Sequence, residues 1–302
     1  IDWILEESFK DLLNSHPHIN KLHLVDLKKA KKKKSILILF NEFKKLRNLE
    51  PYDLVIDMQG LIKSALISHL IPSTFTLGFD RSSIRERVAS FLYNKTFQCE
   101  YSKNIIERNI SLIEYALGIK ISQQQIINKI PFVYPRQKYL ITELSTTKKN
   151  ILIIPGASYK SKCYPVLNWS QLINLKNANF LIIWGNEKEK IMAEQIQFLS
   201  PSVNILKKLS LGELISTISQ VDIVIGPDTG PTHLAWALNI ASITLFGPTP
   251  GYRNTYETKI NKVIESKSRV DPSRIDKNDY SIKEIIPSEI IKSLNHIIKY
   301  KL

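Results

Sequence analysis

Cysteine is nearly missing: Cys99 and Cys163 are the only two among 302 residues. Two thiols make neither a disulfide framework nor a metal-ligand cluster, and they fit a reducing compartment. Long hydrophobic runs are missing too. Nothing approaches the roughly 18 consecutive apolar residues of a membrane-spanning helix. The longest runs, at 151–155 and 241–246, have the length of buried strands. The chain opens on Ile rather than Met, and no charged-then-apolar leader is visible, so no secretory signal is expected. There is no Walker lysine motif and no G-x-G-x-x-G, which disfavours an ATPase or a dinucleotide-dependent dehydrogenase. No nucleophile elbow and no Cys–His pair is visible. His16, His18, His23, His69 and His296 lack partners at metal-ligand spacing and read as structural or exposed. No repeat of 20–50 residues shows.

Apolar residues make up 43% of the chain and charged ones 23%, ordinary values for a folded soluble protein that exclude a disordered or fibrous one. The charge balance is less ordinary. Forty-two Lys and Arg oppose 28 Asp and Glu, and residues 1–150 hold 24 of the basic residues against 15 acidic ones. Such a field favours an anionic partner: nucleic acid, a phosphorylated substrate or an acidic membrane surface. The run from Lys28 to Lys34, broken only by Ala30, is its most local expression. Its plainer reading is a solvated helix start. No aromatics interleave it and no nucleic-acid module accompanies it, so no nucleic-acid partner is expected.

Short apolar runs alternate with helical periodicity. Strands are expected at 21–25, 54–58, 74–78, 151–154, 180–184, 203–206, 223–225 and 243–246, with a further one in the first few residues ahead of a helical 6–13. Helices are expected at 36–49, 105–117, 167–175, 187–199 and 211–219. β-Branched strands alternating with helices predict parallel sheets in an α/β architecture. A polar, Pro-punctuated stretch over 134–150 predicts a division into residues 1–140 and 141–302, two α/β domains around a cleft. The helical 282–302 is expected to pack back across that cleft.

In open parallel sheets, ligands sit beyond the carboxyl ends of the strands. The richest such end is Gly226-Pro227-Asp228-Thr229-Gly230-Pro231-Thr232-His233. A strand ends, the chain turns, and a helix starts near Pro231, a favoured first helical residue. Free N–H groups there make a phosphate site, with Thr229, Thr232 and His233 in reach. A capped helix start is the plainer reading. The loop Pro155-Gly156-Ala157-Ser158-Tyr159-Lys160-Ser161-Lys162 supplies a glycine, a hydroxyl and cations at another strand end, where Lys162 could answer a leaving diphosphate. Glu187 and Glu189 follow a third strand; a carboxylate there suits a ribose diol, or only an acidic first helical turn. The rigid turn Phe246-Gly247-Pro248-Thr249-Pro250-Gly251 follows a fourth. In the first half, Asp57-Met58-Gln59-Gly60 with Lys63, and Gly78-Phe79-Asp80 with Arg85, put charge at strand ends.

These blocks together resemble the bacterial lipopolysaccharide heptosyltransferases, glycosyltransferase family 9. The D-T-G-x-x-H motif from Asp228 to His233 is common to that family. D-x-Q-G-x-x-K-S from Asp57 to Ser64 and G-F-D from Gly78 to Asp80 are most similar to its type I enzymes, which add the first heptose to the Kdo sugar of the inner core. The likeness runs from the first residues to about Tyr252. It implies a GT-B fold of two Rossmann-like domains, acceptor-binding then nucleotide-sugar-binding, the first lacking its first strand. It implies an ADP-heptose donor, a Kdo-lipid A acceptor, and inverting transfer without metal or cofactor, at the cytoplasmic face of the inner membrane and touching it through the basic first half.

By resemblance Asp228, Thr229, Gly230 and His233 contact the diphosphate or heptose. Ala157, Ser158 and Lys162 fall on the phosphate loop, Ala157 standing where the family has a hydroxyl. Glu189 takes the ribose position and Leu209 the backbone contact to adenine. Lys63 and Arg85 fall where acceptor carboxylates and phosphates are expected, and Lys162 helps ADP leave. The family's base, an aspartate in a glycine-rich loop after its first strand, is expected upstream of Ile1 and so outside these residues. Asp57 and Asp80 are the first-half strand-end carboxylates, and neither matches it.

Overall fold

The computed structural model describes residues 1–174 and 178–301. The last residues of two expected helical segments, Leu175 and Leu302, lie outside the described residues. The chain divides into two compact units: one holds Ile1–Lys10 and Ile19–Asn128, the other Asp11–His18 and the chain from Lys129 onward. The segment 129–140, which the sequence reading gave to the first domain, belongs with the second unit. Val133 is buried there with Leu181, Val224 and Ala237.

The first unit carries two separate parallel sheets. One pairs β1 (Asp2–Glu6) with β2 (Lys21–Val25); the other is β3 (Tyr52–Ile56), β4 (Ser73–Phe79) and β5 (Lys95–Phe97). Their helices are α1 (Leu27–Lys33), α2 (Ile36–Arg47), α3 (Ile62–Leu70), α4 (Ile105–Leu117) and α5 (Gln123–Ile127). The expected helix at 6–13 is a 3-10 helix over Glu7–Leu12. Ala65, Leu77, Phe79, Ala89 and Leu112 form the core between β4 and its flanking helices. The lysine run is not just a helix start but most of α1, with Asp26 accepting from the Lys29 N–H at 2.9 Å as its cap.

The second unit is one six-stranded parallel sheet in the order β11-β10-β9-β6-β7-β8. Its strands are β6 (Lys149–Ile153), β7 (Ala178–Ile182), β8 (Asn204–Ile205), β9 (Ile223–Pro227), β10 (Ala241–Phe246) and β11 (Asn261–Glu265). The helices are α6 (Val166–Ile173), α7 (Glu187–Leu199), α8 (Leu211–Ile218), α9 (Gly230–Ala237), α10 (Gly251–Asn254) and α11 (Pro287–Lys301). Because every strand pairs in parallel, the sheet is buried on both faces: Ile151 and Ile153 point into one core, Leu152 and Ile154 into the other. The terminal helix starts later than expected, at Pro287 after a 3-10 turn over Ser281–Glu284. Its Ile290, Leu294 and Ile297 are buried within this unit's own core.

The strand order fixes where a ligand can go. From β6 the chain steps outward to β7 and β8, then returns to lay β9 on the other side of β6. That reversal leaves a crevice beyond the carboxyl ends of β6 and β9, the switch point at which open α/β sheets bind.

Candidate active site

Four loops at this edge carry the residues expected from the sequence. Lys162 follows β6 on a short 3-10 turn, Lys160–Lys162. Asp228 follows β9. Each is 8% exposed, and Lys162 Nζ donates to Asp228 Oδ2 at 2.9 Å across the switch point. His233 Nε2 lies 2.8 Å from Asp228 Oδ1, and Asn254 Nδ2 donates to Oδ2 at 3.3 Å. Burial alone would raise the Asp228 carboxyl. The hydrogen bond with His233 and the Lys162 charge outweigh it and hold the group well below the ordinary carboxylate range. The carboxylate is therefore a fixed negative anchor for one cation and one imidazole.

The start of α9 is not capped by a side chain. Thr229 occupies the N-cap position of α9, yet its side chain makes no capping bond, and the Asp228 carboxylate is spent on Lys162 and His233. Of the first-turn N–H groups, Pro231 has none and Thr232 donates to the Thr229 carbonyl at 3.1 Å, which leaves that of Gly230 without an intrahelical partner. Thr232 is turned inward, donating to the Pro227 carbonyl at 2.8 Å, so it holds the loop rather than facing a ligand. Two more hydroxyls at this edge, Ser161 Oγ and Thr249 Oγ1, are buried without a hydrogen-bond partner among the described residues. Leaving such donors unpaired costs about 1–3 kcal/mol each.

Glu189 bridges the next pair of loops. It sits in the first turn of α7, whose cap Asn186 accepts from the Lys188 and Glu189 N–H groups. Its own carboxylate turns back to accept from the Gly185 N–H at 2.7 Å. It can do so only because residue 156 is glycine: a Cβ there would meet Glu189 Cγ at 2.3 Å. Ala157 is partly buried and Ser158 exposed on the same loop, and Leu209 follows β8, just ahead of the Ser210 cap of α8. The nucleotide-side candidates thus line the ends of β9, β6, β7 and β8 in spatial order.

In the first unit, Asp57 is buried and fully engaged: Tyr93 donates its hydroxyl to Oδ2 at 2.7 Å, and the Gln59 and Gly60 N–H groups bond to Oδ1. Asp80 accepts from the hydroxyls of Ser82 and Ser83. Burial would raise its carboxyl, but the Ser83 and Ser82 hydrogen bonds carry it below its usual value. Both carboxylates serve as loop braces. Lys63 and Arg85 are exposed, and the Ile62 N–H donates to Glu86 at 2.7 Å, tying the start of α3 to the loop that carries Arg85. Among the described residues no group of three His, Cys, Asp or Glu side chains is placed to hold a metal. Sequence reasoning missed Asn254, which lies outside any motif and reaches Asp228 only through the fold.

The model of glycosyltransferase family 9 (heptosyltransferase) matches residues 40–278. Lipopolysaccharide heptosyltransferase 1 of Campylobacter coli is 36% identical over 98% of this chain and 90% of its own length. The protein of the same name from Escherichia coli K12 is 28% identical over 84% and 81%. Among solved structures, E. coli heptosyltransferase WaaC with ADP superposes with a TM-score of 0.77 at 23% identity, over 98% of this chain and 89% of that one. The fold is the GT-B fold of that group, and the chain belongs to glycosyltransferase family 9, the heptosyltransferases.

Proposed function

We propose that this protein transfers a heptose from ADP-heptose to the Kdo of a lipid A-borne acceptor, with inversion, in lipopolysaccharide core synthesis. The observation that carries the reading is the Lys162–Asp228–His233 cluster at the switch point, beside the uncapped start of α9. The acceptor oxygen attacks the anomeric carbon, the bond from that carbon to the β-phosphate oxygen breaks, and ADP departs with the electron pair. Lys162 neutralises the charge that develops on the leaving diphosphate. Thr229, Gly230 and His233 hold the diphosphate and heptose beside Asp228. Ser158 and the Ala157 backbone complete the phosphate loop, Glu189 accepts from the ribose diol, and the Leu209 backbone meets adenine.

Lys63 and Arg85 receive the acceptor's carboxylates and phosphates. The acceptor proton goes to a carboxylate base, a role not given to Asp57 or Asp80 because each already braces its own loop. The working position is the cytoplasmic face of the inner membrane, where the basic first half meets anionic headgroups.

The test is a transfer assay with ADP-heptose and Kdo-bearing lipid A, the product followed by mass. One added heptose is expected, with ADP competing and UDP or GDP failing to compete. ADP binding without transfer would reduce the reading to a nucleotide-binding protein, and preference for another nucleoside diphosphate would change the donor.

A further inference from the structure

Residues 27–49 form α1 and α2, joined through Lys34 in the left-handed conformation (φ 48°) and the Ser35 cap of α2. The pair turns Ala30, Glu42 and Leu46 inward. Two kinds of side chain stay outside. Lys28, Lys29, Lys31, Lys32, Lys33 and Lys34 are exposed along α1 and its end, and Lys44, Lys45 and Arg47 along α2. At the first turn of α2, Ile36 is 82% exposed, Leu37 76% and Phe40 62%. Ile36 and Phe40, four residues apart, share one helix face, with Leu37 beside them.

Within these two helices a single acid answers this charge. Glu42 is the only carboxylate in residues 27–49, and it is buried, accepting from Lys45 Nζ at 2.7 Å and from the Asp26 N–H at 3.2 Å.

A partner must answer both features. Nucleic acid would pair with the lysines and leave three large apolar side chains in water. An apolar groove on another protein would cover those three and leave the exposed lysines of α1 unanswered. A bilayer surface with anionic headgroups meets both: the apolar turn reaches the acyl boundary while the lysine stems extend to the headgroups. We infer that the α1–α2 pair is a membrane-docking element that seats Ile36, Leu37 and Phe40 at headgroup depth in an anionic bilayer. The inference deepens the heptose-transfer reading, resting on it only for the presence of a lipid-borne acceptor, and it gives the general membrane contact a defined place.

The test is sedimentation of the full chain with phosphatidylcholine vesicles, plain or carrying about a third phosphatidylglycerol. The chain is expected to follow the anionic vesicles and to leave the neutral ones. The triple change Ile36→Ser, Leu37→Ser, Phe40→Ser lowers partitioning about tenfold or more. The change Lys31→Gln, Lys32→Gln, Lys33→Gln lowers it about tenfold and flattens its salt dependence. All six positions are exposed, and an unchanged circular-dichroism melt confirms folding in each variant.

Full binding by the apolar variant overturns the proposal, as does equal binding to neutral vesicles or no vesicle binding. Retention on heparin that survives the apolar change, without vesicle binding, would show a polyanion site instead. The vesicles carry neither donor nor acceptor, so failure here leaves the transfer reading intact. Transfer to a soluble, deacylated Kdo acceptor tests that reading separately.

Discussion

Asp228 is held ionised in a place where burial alone would neutralise it, and its partners therefore carry measurable weight. Asp228→Ala leaves the buried Lys162 ammonium without its counter-charge, a loss of about 3–5 kcal/mol that urea unfolding would read directly. The pH dependence follows from the same geometry. The folded carboxyl titrates below its ordinary value, so the unfolded chain takes up the proton first as pH falls. The stabilisation is complete above about pH 4 and is lost progressively below it, and Asp228→Asn should flatten that portion of the unfolding profile. Asn254 donates to Asp228 and acts through it as a positioning residue. Asn254→Ala should lower kcat/KM for transfer about fivefold, in keeping with the loss of one long hydrogen bond to a charged group, with the urea midpoint little changed.

At the scale of elements, α9 is fixed at both ends. Its start follows directly on the Asp228 loop; its end is gripped by Lys129, whose ammonium donates to the carbonyl of Trp236 and lies 4.2 Å from that ring's centre. Burial pulls the Lys129 amine down to about 8. Between that value and the unfolded one, the unfolded chain holds more protons, so stability should rise with pH from about 8 to about 10. Lys129→Met should abolish that rise, as seen by comparing urea midpoints of the two proteins across the window.

How far such elements could be read in advance depended on their surroundings. α4 and α7 match the periodicity to the residue, because Asn104 and Asn186 cap them and one face of each is buried. β5 and β11 escaped notice because they are short edge strands of mixed polarity, Lys-Thr-Phe and Asn-Lys-Val-Ile-Glu, with no two-faced burial to write a continuous apolar run. The Asp228 loop was legible because strand, turn and helix start fall within eight residues. The Asn254 contact and the return of Glu189 over Gly156 were not, since both depend on which strands lie side by side.

For the molecule as a whole, the two units differ in how much core they possess. The second holds most of the largest fully buried side chains, among them Trp169, Tyr164, Phe246 and Ile151, while the first has Phe79 and Leu112 divided from a smaller cluster around Val25 and Leu46. Unfolding should therefore take two steps, with amides of β6, β9 and β10 exchanging last and ADP raising only the later step. Hydrogen exchange with and without ADP would check this, and a single cooperative transition would contradict it. The ion pair at the switch point also has a bearing on descent. Lys162 and Asp228 stand 66 positions apart in the chain yet meet at 2.9 Å. A lineage that replaced Asp228 alone would inherit a buried ammonium without its counter-charge, and one that replaced Lys162 alone would leave the carboxylate to His233 and Asn254. The two sites are expected to persist or be exchanged together, so that their joint history, more than either residue by itself, is what a genealogy of such sequences would preserve.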